Sequence, residues 1–298
     1  MTHPVDAAAP IDTVVLRTGR VSMGAFRCPV GHLLFRDSGA ISECLVVFPR
    51  TSVRIRHEGS AAFVADPTIA TIYNRGQRYE RSAVSGEGDR CDWFAVTDEL
   101  ARDIVGAFDA RAAESDRPFR FEWAPSTAEG YYRQRRLLER ARRGAVDAMD
   151  AEEEVMRTVG AVISAAYGRT PQPRARSTRA LQRHRELADA ARVELLATLH
   201  LNRSVNDIAT ALGVSPFHLC RVFHACVGKT MNAFRNELRV RRALELLEAG
   251  QGGARSLSTT AHDLGFASHS HFVVAMRRHF RTTPSDARRL LARHEVEL

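Results

Sequence analysis

One short design is written twice between Leu201 and Arg289, and it leaves few folds open to this part of the chain. The first copy runs from Ser204 through Ile208, Gly213 and Ser215-Pro216 to His224. The second runs from Leu257 through Ala261, Gly265 and Ser268 to Arg277. Each predicts a short amphipathic helix, a turn built around a glycine, a capping serine and a second helix. One such pattern is weak, because any two helices joined by a glycine turn imitate it. Two copies with their glycines about fifty residues apart form an internal repeat, which is a much stronger signal.

The residue types explain the pattern. Ser204 suits a helix start, where its hydroxyl satisfies an orphan amide. Val205, Ile208, Ala209 and Leu212 recur at three- and four-residue spacing and predict one apolar face. Gly213 reaches the left-handed backbone that stops a helix and redirects the chain. Ser215 caps the next helix, and Pro216 takes its first position, where a missing amide costs nothing. Leu219, Val222 and Phe223 are expected inside, which leaves Phe217, His218, Cys220, Arg221 and His224 for the outer surface. In the second copy Leu257, Ala261 and Leu264 brace the turn, and Phe272, Met276 and Phe280 face inward. Ser268, His269, Ser270, His271, Val273, Val274 and Arg277 remain for the surface. Such a pair is a helix-turn-helix, whose second helix enters the DNA major groove. Between the copies, Met231 to Glu248 predicts a helix with Phe234, Leu238, Ala243, Leu246 and Leu247 apolar and its arginines outward. At roughly 1.5 Å per residue it spans about 25 Å. That separation suits two heads entering consecutive major grooves.

These residues resemble the AraC/XylS-type transcriptional regulators. The likeness rests on Ser215-Pro-Phe-His-Leu-Cys-Arg-Val-Phe223 with Gly228, then Arg242-Ala-Leu-Glu-Leu-Leu247 and Ala261-His-Asp-Leu-Gly-Phe266. Ser270-His-Phe272, Thr283-Pro-Ser285 and Arg288 complete it. The resemblance covers the last part of the chain, and the order of the pieces makes it specific. It implies a seven-helix DNA-binding domain under an N-terminal regulatory domain, commonly a cupin-like barrel. The chain departs from the family pattern at four places: an arginine is usual where Val274 stands, an aromatic at Met276, a glycine at Arg281 and an aromatic at Ala287.

Charge supports the division. Residues 169–298 carry 21 Lys and Arg against 11 Asp and Glu, while residues 1–168 carry 22 against 24. The whole net charge of +8 therefore resides in the half with the repeat. A basic domain concentrates a polyanion and exchanges its condensed counterions for arginines. No apolar run approaches the ~20 residues of a membrane span, and the start has neither the basic nor the apolar part of a secretory signal. Five scattered cysteines, an odd number, fit a reduced cytoplasmic protein.

The N-terminal half reads differently. Residues 1–12 predict a disordered lead-in. From Ile11 to Val96, short β-favouring runs (Val14–Leu16, Val21–Met23, Cys44–Phe48, Val53–Arg56, Ala62–Val64, Ala70–Tyr73, Trp93–Val96) alternate with Gly, Pro, Asp and Asn. Such spacing predicts an all-β barrel or sandwich. A helix is expected over Asp98–Phe108, a strand over Phe119–Trp123, and helices over Thr127–Arg143 and Asp150–Tyr167. The stripe Val155, Val159, Val162 and Ile163 suits packing on the barrel or on a second subunit. The fold class expected is α+β and multidomain: a regulatory domain over 13–168 (β-rich 13–123, helical 127–168), a linker over 169–178, and an all-α domain over 179–298. Its helix-turn-helix motifs are placed at about 204–227 and 257–281.

Three constellations in the β-rich half bear on control. Tyr73, Arg75, Arg78, Tyr79 and Trp93 mix aromatics with arginines, a set suited to an anionic or aromatic effector, or equally to a turn held by Arg–Asp pairs. Cys28, His32 and Cys44 share one strand-rich segment and define a minority alternative, a soft-metal or thiol sensor. Small buried cysteines and an edge histidine are the simpler account of the same residues. No G-x-S-x-G elbow, P-loop or G-x-G-x-x-G is present, and the segment holds only His32 and His57, so no catalysis and no cofactor are expected. The expected partners are double-stranded DNA, RNA polymerase, a small-molecule effector and a second copy of the chain, with no membrane. The competing reading is a constitutive DNA-binding regulator whose β domain serves only subunit or polymerase contact.

Overall fold

Alternation along the first hundred residues resolves, in a computed structural model, into two sheets. The structure describes residues 11–37, 39–168, 178–249 and 256–291. One sheet has the order β1 (Asp12–Arg17), β2 (Val21–Cys28), β8 (Asp89–Val96), β3 (Cys44–Pro49), β6 (Ile69–Tyr73) and β9 (Trp123–Pro125). The other has the order β5 (Phe63–Ala65), β4 (Val53–His57) and β7 (Tyr79–Ala83). The pairs β1–β2, β2–β8, β3–β8, β3–β6, β4–β5 and β4–β7 are antiparallel.

Two compact units make up the chain. The first contains the strands up to Asp66, then Ala70–Ala124 and Arg140–Ser164. In it α1 (Asp98–Gly106) is capped by Thr97, whose hydroxyl accepts from the amide of Leu100, and α2 (Ala110–Ala113) is capped by Asp109. α4 (Ala148–Tyr167) buries Val155, Val159, Val162 and Ile163 within the single chain, which settles where that stripe packs. The second unit contains Pro67–Ile69, Pro125–Glu139 and the chain from Ala165 onward. It thus takes in most of α3 (Ala128–Arg142). Its other helices are α5 (Thr178–Ala197), α6 (Val205–Ala211), α7 (Pro216–Val227), α8 (Met231–Ala249), α9 (Leu257–Asp263), α10 (His269–Phe280) and α11 (Pro284–Leu291). Ile208, Ala209, Leu219, Phe223, Phe234 and Leu238 form one core with Ala191 and Leu195 of α5.

Several expectations are revised. Asp12 already opens β1, while residues 1–10 of the expected lead-in lie outside the described residues. The same holds for 169–177 of the expected linker; Thr178 begins α5. Of Phe119–Trp123 only Trp123 is in a strand; Phe119 instead exchanges hydrogen bonds with Asn74, donating its amide to Oδ1 at 2.9 Å and accepting from Nδ2 at 2.8 Å. Strand β7 was not anticipated. Its sequence, Tyr-Glu-Arg-Ser-Ala, lacks branched apolar residues, and its pairing with β4, from Val53 opposite Ala83 to His57 opposite Tyr79, makes it a strand.

The arginines of α8 were expected outward, and Arg239 and Arg241 are instead buried. α8 is surrounded by α5, α7, α9, α10 and α11, so no face is left wholly to solvent. Its buried charges are therefore paired, as burial requires. Arg241 donates to the carbonyls of Pro67 and Ser126, the latter at 2.6 Å, and to Glu237, and its guanidinium lies 4.8 Å from the centre of the Tyr131 ring. Arg135 of α3 donates to Glu245 and Glu248 of α8.

Candidate nucleic-acid interface and a cavity between the sheets

The two helix pairs are built alike from local signals. Ser204 and Asp207 cap α6 reciprocally: the Asp207 amide donates to Ser204 Oγ at 3.1 Å, and the Ser204 amide to Asp207 Oδ2 at 2.8 Å. Gly213 turns the chain with φ of 67°. Ser215 then caps α7, accepting from the His218 amide at 3.3 Å, with Pro216 at the first helical position. Gly228 ends α7 in the left-handed conformation. In the second pair Ser256 caps α9, Gly265 turns the chain at φ of 78°, and Ser268 caps α10 by accepting from the His271 amide at 3.1 Å. α10 ends on Arg281, the one non-glycine residue with positive φ among the described residues.

Burial separates the faces of each second helix. Leu219, Val222 and Phe223 of α7 are buried, while Phe217, Cys220, Arg221 and His224 are exposed, at one-turn spacing along one face. His218 is half-buried, its ring 5.9 Å from that of His184, with Nδ1 3.4 Å from the Arg221 guanidinium. On α10, Phe272, Ala275, Met276 and Phe280 are buried. Ser268, His269, Ser270, His271, Val274 and Arg277 are exposed, and Val273 is half-buried. Phe217 stands out, an aromatic ring at 80% exposure at the start of α7.

Arg239 joins the two pairs, and its role was not legible from the sequence. Its guanidinium donates to the carbonyls of Leu199 (2.9 Å) and Leu201 (3.1 Å) and to Asn202 Oδ1 (3.0 Å). It also lies 5.9 Å from the centre of the Phe266 ring, beside the second turn. A Cβ on Gly265 would stand 2.5 Å from this guanidinium and 2.8 Å from the carbonyl of His200. Burial, with Arg235 nearby, pulls the Arg239 pKa down to about 10.

In the first unit, strand register decides which side chains meet. Val47 lies opposite both Trp93 and Thr71, Leu45 opposite Tyr73, and Pro49 opposite Cys91. Successive side chains of a strand alternate between faces, so these odd-numbered residues share one face. Val53 and Ile55 of β4 with Tyr79 and Arg81 of β7 supply the facing sheet. Between them is a cavity of about 500 Å³. Trp93 pairs with Gly24, where a Cβ would stand 2.4 Å from the indole, so only glycine admits the ring.

Of the residues considered for an effector, Tyr73, Tyr79 and Trp93 line this cavity. Arg75 and Arg78 do not: Arg75 pairs with Asp98 at 3.1 Å, and Arg78 lies 3.8 Å from Asp37 beside a neighbouring groove. Both are exposed, because they sit in the turn before β7 and not on its inward face. His57 stacks 4.7 Å from Tyr73 and shares a 2.7 Å hydrogen bond with Gln77, and burial pulls its pKa down to about 4.

Cys28, His32 and Cys44 are not brought together. Cys28 pairs with Asp89 at one end of β8 and Cys44 with Val96 at the other, roughly 23 Å apart at the strand rise. His32 accepts from the Leu34 amide in an exposed turn. Burial raises the Cys28 thiol pKa and pushes that of Cys44 up to about 11, so neither favours the thiolate that binds metal or reacts. Among the described residues no group of three or more His, Cys, Asp or Glu is placed to hold a metal, and no helix is long and apolar enough to cross a membrane.

Known proteins align with the helical part. A family model described as a helix-turn-helix domain matches residues 208–290. The HTH-type transcriptional regulator GlxA of Rhizobium meliloti (strain 1021) is 38% identical over 82 residues, which are 28% of this chain and 24% of that protein. The probable transcription factor PqrA of Proteus vulgaris is 33% identical over 84 residues, 28% of this chain and 66% of that one. A solved transcriptional regulator of Chromobacterium violaceum, of proteins containing an AraC-type DNA-binding domain, is 31% identical and covers 36% of this chain and 94% of its own, with a TM-score of 0.34. The chain thus spans less than two thirds of the length of either curated relative.

Proposed function

Because the chain belongs to the AraC/XylS-type transcriptional regulators, we propose that it binds double-stranded DNA through two helix-turn-helix motifs and controls transcription there. α7 and α10 are the reading helices, lying in consecutive major grooves on one face of the duplex. The observation that carries this reading is the repeated build: two serine-capped helices, each with a buried apolar face and an exposed face that bears arginine and histidine, in the basic half of the chain. α8, at 19 residues and about 1.5 Å per residue, is near 28 Å long, close to the ~34 Å repeat that separates successive grooves.

Within that reading Arg221 is the leading base reader, since arginine meets guanine O6 and N7 bidentately. Phe217, His218 and Cys220 flank it on α7, and Ser268, His269, Ser270, His271, Val273, Val274 and Arg277 form the second surface. Val274 has no hydrogen-bonding group, so it suits a thymine methyl and gives the second half-site a looser readout. We read the two-sheet unit as a cupin-like effector domain, RNA polymerase as the partner of the DNA-bound form, and the cytoplasm as the location. Effector control requires a ligand that binds the DNA-competent and DNA-incompetent arrangements with different affinity.

The test is selection of genomic fragments by the full chain, with sequencing, across a salt series. The expected result is one enriched motif with two elements about one helical turn apart. Salt-sensitive binding without any enriched motif would refute sequence-specific reading. Arg221→Ala is expected to cost ~1–3 kcal/mol and to relax discrimination at one base pair. Unchanged affinity and preference in that variant would remove α7 from the first groove.

A further inference from the structure

The cavity between the sheets has a chemistry that narrows what it can hold. Native interiors leave few voids larger than a water molecule, whereas about 500 Å³ is within the range of ligand pockets. Its walls are mostly apolar, from Val47, Val53 and Ile55 to the indole of Trp93. Five charged side chains line it, and each has a partner already. Arg81 sits 2.7 Å from Asp89, donates to the Tyr79 hydroxyl at 2.5 Å and to the Phe35 carbonyl at 3.3 Å, and lies against the rings of Phe26 and Tyr79. Asp12 accepts from Trp93 Nε1 at 2.8 Å, and Arg17 lies 3.6 Å from Glu43. Three acids against two bases leave the lining with a net charge of −1. A carboxylate entering this space would be stripped of water, would find the buried guanidinium occupied and would meet an excess of negative charge. An ammonium would lose its hydration to carboxylates already partnered by Trp93, Arg17 and Arg81, so either charge is costly.

We infer that the cavity between the two sheets takes an uncharged, largely apolar or aromatic molecule, recognised by the Trp93, Val47, Val53 and Ile55 walls. Thr71, Tyr73, Tyr79 and Cys91 offer it neutral hydrogen-bonding groups. Arg81 is then a strut that holds β7, Asp89 and Tyr79 in place, and it does not grip the ligand. The inference rests on effector control through the β unit and adds the ligand class to it.

The experiment is calorimetric titration of the full chain at pH 7.5 with three matched probes: 2-naphthol, 2-naphthoate and 2-naphthylmethylammonium. Saturable 1:1 binding is expected for 2-naphthol, with each charged probe weaker by at least about tenfold, or 1.4 kcal/mol. Ala65→Leu, which fills part of the cavity, is expected to weaken 2-naphthol by about tenfold while the melting transition and DNA affinity persist. If that variant does not fold, quenching of the chain's tryptophan fluorescence by 2-naphthol provides the second measurement. A much smaller change is expected in Trp93→Phe, which keeps only Trp123, and an undiminished change there places the ligand outside the cavity. A charged probe binding as tightly as 2-naphthol overturns the ligand class and leaves the cavity as an effector site. Binding by none of the three overturns the site itself, while fragment selection by the same preparation reports separately whether the regulator reading stands.

Discussion

Gly265 holds φ of 78° with the Arg239 guanidinium and the His200 carbonyl against its α-carbon. Both facts oppose a side chain, one through backbone strain and the other through space. Gly265→Ala is therefore expected to destabilise the fold by more than the ~1 kcal/mol of a left-handed alanine alone. Chemical denaturation with an unchanged midpoint would show the turn to be slack. Arg281 presents the opposite case. It holds φ of 58° at the end of α10, where the family pattern has glycine. Arg281→Gly is expected to stabilise by about 1 kcal/mol, less whatever glycine adds to the entropy of the unfolded chain. A fall in the denaturation midpoint of this variant would mean that the arginine side chain contributes more than its backbone costs.

Helix α8 carries buried ion pairs beside its apolar contacts, and that sets what its variants should do. Arg135 meets Glu245 and Glu248 with all three side chains at least nine-tenths buried. Arg135→Ala strips two buried carboxylates of this guanidinium and is expected to cost about 3–5 kcal/mol. Adding Glu245→Leu and Glu248→Leu to Arg135→Leu should recover most of the loss, because a buried ion pair is often matched by apolar residues of similar volume. If the triple variant is no more stable than Arg135→Ala, the cluster does more than compensate its own burial. The caps belong to the same scale. Serines at the starts of α6, α7, α9 and α10 give both helix pairs the same entry geometry, and replacing any one by alanine costs typically ~1 kcal/mol.

Over the whole molecule, stability acquires a pH dependence from the buried His57. Burial lowers its pKa to about 4, below the ~6.5 of an exposed histidine, so the unfolded chain takes up the proton first. The neutral ring's contribution is fully present above about pH 6.5 and is lost as pH falls towards 4. Between pH 7 and 5 the loss from this one group is about 2 kcal/mol. Denaturant titrations at the two pH values should show it, and His57→Leu should flatten the slope. An equally steep slope in that variant would assign the acid sensitivity to other groups.

Much of the helical unit was legible in the sequence because its signals are local. A capping serine, a glycine at positive φ and apolar residues at helical spacing act within one or two turns, so the positions of Gly213, Gly265, Ser215 and Ser268 carried over unchanged. Most of the outward residues of α7 and α10 follow from the same periodicity, His218 and Val273 being half-buried instead. Tertiary structure decided what depends on partners far along the chain. Strand β7 exists because β4 pairs with it, and Arg81 is buried because Asp89 meets it there. Arg239 and Arg241 read as solvated helix charges until the loop that follows α5, the turn at Gly265 and the carbonyls of Pro67 and Ser126 enclose them. The grouping of Tyr73, Tyr79 and Trp93 is likewise a matter of register, since a one-residue step along a strand changes the face a side chain serves, whereas Arg75 and Arg78 fall in the turn between β6 and β7. Local periodicity and capping are encoded within a few residues, whereas buried charge and strand pairing take their sign from neighbours that only the folded chain supplies.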